Sequence, residues 1–559
     1  MTAAPDGCDS AFSAVAEEHH DPPPQVRQPP AAEGQEPSPE QTERGAEGDG
    51  SDHEVTRKAG RGGLAVAFAK IYFMMQGLIS QIALPRVLGM GGYGALASIL
   101  SIGSIVYNPI IATSIQGVSR GVAQTPDADQ PAAVRGTLKI HAVCTAPIAV
   151  AFFFLAGPIG RAIGAPHIIL GLRIMAGVLF FYGMYAPFIG VLNGQKLFTR
   201  QAALDITAST LRTAAMITAA WFFATRFDFG PEGAVIGFVG SSAVVFGIAV
   251  GIAGVGRKGP GGPAVVEHLK FIAPLYLGQL LLQFLLQADL TLLRTFAAGS
   301  AVAAGLPERA ADPLVGAYRA TQLFCFLPFQ LLLSVTFILF PMLATAYRDG
   351  DRAAVKRYVR TGVRLAMVLA GAMVSVTSGL AGPLLKLVFP PQAAEYGTRS
   401  MQLLTIGFGA FAIFGIMTAV LNSLKRERMS ALITATAFAL VVLLCFLRVR
   451  GQPFGADLLW RTAMSTSAGL AIATVGVAIM VQRTAGGVAP LASLLRVVIA
   501  MGIAITVGRY LPYHGKVVTV AYALLVGVVY AAVLLITREL GKSDLEMVMT
   551  VVSRRKKAA

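Results

Sequence analysis

Charged side chains are scarce. They make up 14% of the 559 residues, against roughly 25% in a soluble protein of ordinary composition. That shortage excludes a soluble globular enzyme of this length. Cysteine is nearly absent: Cys8, Cys144, Cys325 and Cys445 stand far apart, which gives neither a disulfide framework nor metal-ligand spacing. Of seven histidines, three lie in the first 53 residues, and His141, His167, His268 and His514 are isolated in sequence. No enzyme constellation is legible. No Gly-rich run ends in Lys-Ser/Thr, so ATP hydrolysis is not encoded. The short segments of alternating polarity that mark a membrane barrel are missing too.

What is present is apolar sequence. Hydrophobic residues account for 55% of the chain and mean hydropathy is +0.64. They gather in stretches of about 18 to 25 residues bounded by Arg, Lys, Gly or Pro, the length that crosses a hydrocarbon core as a helix. The fold class is therefore an all-α polytopic membrane protein. About fourteen spans are expected, at roughly 64–84, 93–117, 137–157, 172–192, 204–224, 233–254, 271–293, 315–343, 362–386, 400–421, 430–447, 459–481, 491–510 and 516–537.

The first residues belong to a different class. Residues 1–58 are rich in Pro, Glu and Gly and almost free of large apolar side chains. Such a segment buries too little surface to offset chain entropy and is expected to be a disordered acidic tail. It lacks the basic start and apolar core of a signal peptide. Beyond Thr56 the balance is strongly basic, with 44 Lys and Arg against 17 Asp and Glu. No soluble basic module remains outside the helices, so nucleic acid is not an expected partner. The charge instead fits membrane lipids with anionic headgroups as partners, or reports topology. With the N-terminus inside, the inner connections carry roughly 28 basic residues and the outer ones roughly 13. The run from Arg348 to Arg364 and the C-terminal Arg554-Arg555-Lys556-Lys557 fall inside. Both termini are then expected in the cytoplasm, and the longest outer loop is expected at about 294–314.

An internal duplication runs through this pattern. GVLNGQKLF at 190–198 and AVLNSLKRE at 419–427 share Val-Leu-Asn, two residues, then Lys. Gln130-Pro-Ala-Ala-Val-Arg135 parallels Asp351-Arg-Ala-Ala-Val-Lys356, and Gly94-Ala95 parallels Gly316-Ala317. The offsets drift from 221 to 229, always across six spans. Six is even, so the copies enter the membrane in the same direction, as a parallel repeat of two six-helix halves. The expected organisation is an N-lobe at 59–258, a C-lobe at 259–484, an extra helix pair at 485–540 and a basic tail at 541–559. Asn193 and Asn422 are expected to close their helices in the left-handed conformation, with Lys196 and Lys425 as interfacial anchors.

Polar side chains inside spans are costly, at least about 2.5–3.5 kcal/mol for an ionisable group, and each is a candidate. Lys70, Gly77 and Gln81 share one face of span one. Ser104, Asn108, Gln116 and Arg120 follow a row in span two, where Pro109 permits a bend. Asp205, Ser209, Arg212 and Met216 form a row in span five, with Arg212 about 12 Å in from the end. Gln279, Gln283 and Gln287 repeat at i+4 in span seven and either bond neighbouring helices or line a wet cavity. Asp289, on another face, is the deepest acid; it is an ion site or part of a buried pair, for example with Arg319. Arg319, Gln322 and Gln330 share a face of span eight beside Pro328.

Two stretches resemble a known family. Ala83-Leu-Pro-Arg-Val-Leu-Gly89 with Tyr93-Gly94, and Asp289 with Leu292-Leu293 and Val315-Gly-Ala-Tyr-Arg-Ala320 downstream, are similar to the polysaccharide and oligosaccharide flippases of the multidrug/oligosaccharidyl-lipid/polysaccharide exporter superfamily. The resemblance covers about residues 60 to 480. It implies two six-helix lobes in a bacterial cytoplasmic membrane, moving a lipid-linked, usually undecaprenyl-diphosphate, oligosaccharide to the outer leaflet by alternating access, with no enzymatic activity. It also implies work alongside a polysaccharide polymerase or glycosyltransferases. A diphosphate sugar needs fixed cations, for which Lys70, Arg212 and Arg319 are candidates. It also needs amide partners, for which Gln81, Asn108, Gln116, Gln279, Gln283, Gln287, Gln322 and Gln330 are candidates. Asp289 is the candidate for a coupling H+ or Na+; no other cofactor or metal is expected. The alternatives are a cation-coupled multidrug or metabolite antiporter, a lipid II flippase of the same superfamily, and a polymerase or ligase acting on lipid-linked sugars. The last would need a sizeable outer loop with basic or His residues, which the sequence does not show.

Overall fold

The computed structural model describes residues 39–259 and 264–541, with side chains from Phe68 onward except those of residues 333–335, 337 and 338. The chain divides into two units, Met1–Gly60 and Arg61–Ala559, and the membrane-spanning helices lie in the second. Of the expected N-terminal tail, residues 1–38 lie outside the described residues; the stretch from Pro39 is helical, within α1 (Pro39–Ala123). Nearly all of the basic tail expected at 541–559 also lies outside them.

Helices follow one another with short connections: α2 (Gln130–Ala162), α3 (Ile169–Gly194), α4 (Phe198–Phe227), α5 (Gly230–Ala253), α6 (Val265–Ala303), α7 (Asp312–Cys325), α8 (Leu327–Arg348), α9 (Arg352–Gly379), α10 (Ala381–Val388), α11 (Pro391–Ser423), α12 (Glu427–Val449), α13 (Asp457–Ala485), α14 (Leu491–Arg509) and α15 (Lys516–Ile536). Among the described residues, eleven are long and apolar enough to cross a membrane. The difference from fourteen expected spans arises at three places. The 56 residues Phe68–Ala123 would make a rod of about 84 Å, but Gly89, with φ 67° and ψ 173°, breaks it into two crossings. The left-handed backbone there is open to glycine and strained for other residues. Helix α4 is long enough, but Arg200, Asp205, Arg212 and Arg226 dilute its apolar character. Span eight is split at Phe326 into α7 and α8, with Pro328 at the start of α8; at 22 residues α8 is long enough to cross, and some of its side chains lie outside the described residues.

The helices pack in two groups. Helices α2 to α5 pack on one another, and α11 packs against α7, α8, α9 and α13, with α6 on α12. Helices α14 and α15 pack on α9 through Val497, Ala500, Val526, Tyr530 and Leu534. The Tyr530 hydroxyl donates to the Val368 carbonyl at 2.9 Å, and glycine at 371 leaves room for that ring. One polar node ties this pair to the rest. Glu539, 2% exposed, accepts from Arg364 Nε of α9 at 2.8 Å and from Arg496 Nη1 of α14 at 3.2 Å. Burial pushes the Glu539 carboxyl up, but hydrogen bonds from Arg364, Ser493 and Arg496 outweigh it and hold the carboxyl below the usual range. A depressed carboxyl contributes stability that is present above its unfolded value of about 4.3 and lost as pH falls through the folded one. We expect Glu539→Gln to loosen the pair by about 2 kcal/mol, read as faster hydrogen exchange across 491–541. Wild type should show the same loosening only below about pH 4.

The duplication is visible at atomic scale. The VLN stretches close α3 and α11 with the same cap, although the left-handed residue is not the asparagine. Lys196 (φ 59°) and Lys425 (φ 56°) carry the positive φ, while Asn193 and Asn422 stay within their helices. Leu197 N–H reaches back to Leu192 O at 2.8 Å, and Arg426 N–H to Leu421 O at 2.9 Å. This is a Schellman closure in both halves. Asp129 and Asp351 precede α2 and α9 at equivalent places.

The long outer loop expected at 294–314 does not exist as a loop. Helix α6 continues to Ala303, and a short 3-10 turn, Glu308–Ala311, leads into α7. Arg294 is 1% exposed and bonds Asp312 Oδ1 at 3.1 Å, the Glu308 carbonyl at 3.2 Å and the Gly164 carbonyl at 3.1 Å.

Candidate substrate cavity

The cavity is built mainly by the second leg of α1. Tyr93, Leu96, Ala97, Leu100, Ser101, Ser104, Tyr107 and Asn108 line one side of it, at the i, i+3, i+4, i+7 spacing that puts residues on one helix face. The first leg adds Gly77, Ser80 and Gln81; α4 adds Arg212; α6 adds Gln287; α7 adds Arg319. These elements come from both halves of the duplication. The volume is about 220 Å³, below the roughly 300–1,000 Å³ of common ligand pockets.

Five of the sequence candidates meet here: Gln81, Asn108, Arg212, Gln287 and Arg319. Arg212 lies over the rings of Phe73, at 4.6 Å, and Phe238, at 5.7 Å. Arg319 donates from Nη1 to Gln322 Oε1 at 3.1 Å. Among the described residues neither arginine has a carboxylate within ion-pair distance. The Tyr93 hydroxyl donates to Gln81 Oε1. Gln287 accepts from Ser101 at 2.9 Å, and Gln283 accepts from Asn108 at 3.2 Å. The glutamine row thus bonds α6 to α1 as well as facing the cavity.

The other candidates fall elsewhere. Lys70 is exposed and pairs with Asp205 at 3.6 Å; Asp205 also accepts from Tyr185 at 3.2 Å. Gln116 and Gln330 are exposed. Gln279 lines a second cavity of about 410 Å³, bounded by α6, α8, α11 and α12, together with Phe329, Asn422 and Glu427. Gln322 is fully buried and acts through others. Its amide nitrogen donates to both carboxylate oxygens of Asp289, at 3.0 and 3.1 Å. Asp289, 1% exposed, also accepts from the Tyr318 hydroxyl at 2.9 Å and the Leu290 N–H at 2.8 Å. The buried pair with Arg319 is therefore indirect, relayed through Gln322. Sequence reasoning missed Tyr93 and Tyr107, whose helical spacing with Ser101, Ser104 and Asn108 carried the signal.

At one end the two halves touch backbone to backbone. A Cβ on Gly94 would lie 1.9 Å from the Asp312 carbonyl oxygen, and one on Gly316 2.3 Å from that of Met90. Duplicated glycines therefore face each other. His167 Nε2 to Asp312 Oδ2, at 3.0 Å, and Arg86 Nη2 to the Val388 carbonyl, at 2.7 Å, close the same end. The basic connections lie at the other end.

The fold is all-helical and membrane-spanning, closed at one end around a cavity that holds two arginines. Residues 83–288 match the family described as Polysaccharide biosynthesis protein. Among solved structures, the chain superposes on a lipid II flippase, MurJ, in an inward closed conformation, with TM-score 0.68 and 12% identity, over 84% of this chain and 98% of that one. It also superposes on an inward-facing multidrug resistance MATE family transporter, with TM-score 0.59 and 16% identity, over 75% and 98%. A mutant of the Vibrio cholerae MATE transporter VcmN gives TM-score 0.53 and 18% identity, over 77% and 97%. No curated protein matches the chain in sequence. The chain therefore shares the fold of these transporters, and its residues 83–288 carry the likeness to the polysaccharide biosynthesis family.

Proposed function

We propose that the protein flips a lipid-linked oligosaccharide, carried on a diphosphate such as undecaprenyl diphosphate, from the cytoplasmic to the outer leaflet for surface polysaccharide synthesis. The observation that carries this reading is the pair of arginines, Arg212 and Arg319, facing one cavity without a carboxylate partner among the described residues. Two unpaired cations at membrane depth are unfavourable alone and are relieved by a dianionic group. The guanidinium fork suits phosphate oxygens bidentately. Gln81, Asn108 and Gln287 offer amides to sugar hydroxyls. The basic end then faces the cytoplasm, and the closed end faces outward. The test is vesicle reconstitution with a fluorescent undecaprenyl-diphosphate oligosaccharide, read as protection from an impermeant quencher. Wild type should flip it, and a chain with both arginines replaced by Gln should not.

The same reading assigns Asp289 to coupling. Its carboxylate is held by neutral donors only, so a bound H+ or Na+ would change its charge without breaking an ion pair. Replacement of Asp289 by Asn keeps the shape and removes the charge. Flipping by this variant is expected to lose its dependence on an imposed H+ or Na+ gradient, with a several-fold lower rate. A gradient response equal to that of wild type would remove Asp289 from coupling.

A further inference from the structure

The isolated histidines of the sequence are not isolated in space. His141 of α2 and His268 at the start of α6 face each other, with Nε2 to Nε2 at 3.1 Å and rings at 89°. They are 3% and 6% exposed. Ser114 Oγ lies 3.0 Å from His141 Nδ1 and fixes that ring. Helix α2 belongs to the first half of the duplication and α6 to the second, so the contact joins the halves, at the end opposite the Gly94–Gly316 crossing. The helices are close here because position 117 is glycine: a Cβ there would lie 2.7 Å from Ile272 Cγ2 and 3.4 Å from the His268 ring. Arg120 stacks over Phe271 at 4.1 Å beside it.

We propose that the His141–His268 pair is a proton-released latch that holds the two lobes together at the basic end. In the neutral pair one Nε2–H stands between two ring nitrogens and makes the bond. One added proton can still be shared. A second leaves two N–H groups pointing at each other with no acceptor, and the rings must part. Among the described residues no charge offsets that repulsion; on α12, which packs on α6, Glu427 and Arg428 are exposed. On α1, Arg120 is engaged with Phe271 and Gln124. On α2, Lys139 is exposed and Cys144 half-buried; on α6, Glu267 and Lys270 are exposed. On α3, which packs on α2, Tyr185 is bonded to Asp205. Among the described residues none of these forms an ion pair with either ring. Solvated imidazoles titrate near 6.5, so the open lobes bind more protons than the latched ones. By linkage, acid at this end favours opening. The latch acts on the gate and is independent of which substrate the cavity takes.

The test uses the full chain in nanodiscs, with its four cysteines replaced by Ala and spin labels at Lys139→Cys and Lys270→Cys. Distances are measured by electron–electron double resonance. Between pH 7.5 and 5.5 the ratio of separated to latched populations should rise about ten-fold if the latched pair itself takes up one proton across this range, and about a hundred-fold if it takes up none. In the His141→Gln, His268→Gln double variant the ratio should not move with pH, because a Gln pair bonds without titrating. A wild-type ratio that stays constant over this range would overturn the latch. So would a double variant that responds as strongly as wild type.

Discussion

Replacement of Arg212 or Arg319 by Gln is expected to lower the flipping rate by roughly 30- to 1,000-fold. That range corresponds to the about 2–4 kcal/mol lost when one partner of a desolvated, hydrogen-bonded charge pair is removed. The size follows from where the arginines stand. Arg212 is pressed between Phe73 and Phe238, so it cannot turn to another partner. Arg319 is held by Gln322, which is itself fixed on Asp289. Water cannot fully replace a guanidinium on a diphosphate in a closed cavity. Arg→Lys at either site is expected to recover part of the rate, since Lys keeps the charge but loses the planar fork. The measurement is the quencher-protection assay, with the amount of membrane-inserted protein as control. A normal rate in both Gln variants would refute the cation roles. A cation-coupled antiporter would behave differently, with dye efflux retained in the Arg variants and lost in Asp289→Asn.

The second large effect is expected at the glycine crossing. Gly94→Ala places a carbon 1.9 Å from a backbone oxygen of the opposite half, and no side-chain rotation relieves it. The closed end must open or α7 must move. Overpacking of this kind costs typically 1–3 kcal/mol and more against backbone, so closure should weaken by on the order of a hundred-fold. Spin labels on exposed residues of the closed end, Arg161 of α2 and Leu306 after α6, should report a longer distance in Gly94→Ala. The double variant with Gly316→Ala should shift further. Gly77→Ala is the control, since a Cβ there meets nothing within 4 Å. Unchanged distances in the double variant would show that the two halves do not depend on this crossing.

Much of this protein was legible in its sequence, for reasons that can be named. Lipid forces every spanning backbone to satisfy itself internally. Hydropathy alone therefore located the helices, and the basic connections gave their alternation. Three short repeats at nearly one offset located the duplication. Their meaning was local: the Val-Leu-Asn-x-x-Lys stretches are matched helix caps, with Lys in the left-handed position that asparagine was expected to hold. Arg212, Arg319, Gln81, Asn108 and Gln287 were found because polar groups are rare at membrane depth and therefore conspicuous.

The rest was decided by tertiary structure. A polar residue on a helix has a face in the sequence but no neighbour. Lys70 and Arg212 looked alike as membrane cations; packing put one on Asp205 at the surface and the other in the cavity. Gln322 and Gln287 looked alike as amides; one became a support for Arg319 and the other a wall. Arg294, the apparent start of an outer loop, proved to be a buried clasp, because α6 ran ten residues further than its hydropathy suggested. His141 and His268, 127 positions apart, carried no sequence signal at all. Helix identity is a property of local pattern and solvent, and the sequence alone determined it. Which side chains meet across the two halves depends on the angle at which packed helices cross. That angle is set by small residues such as Gly94, Gly117 and Gly316, whose role appears only once their opposing surfaces are in place.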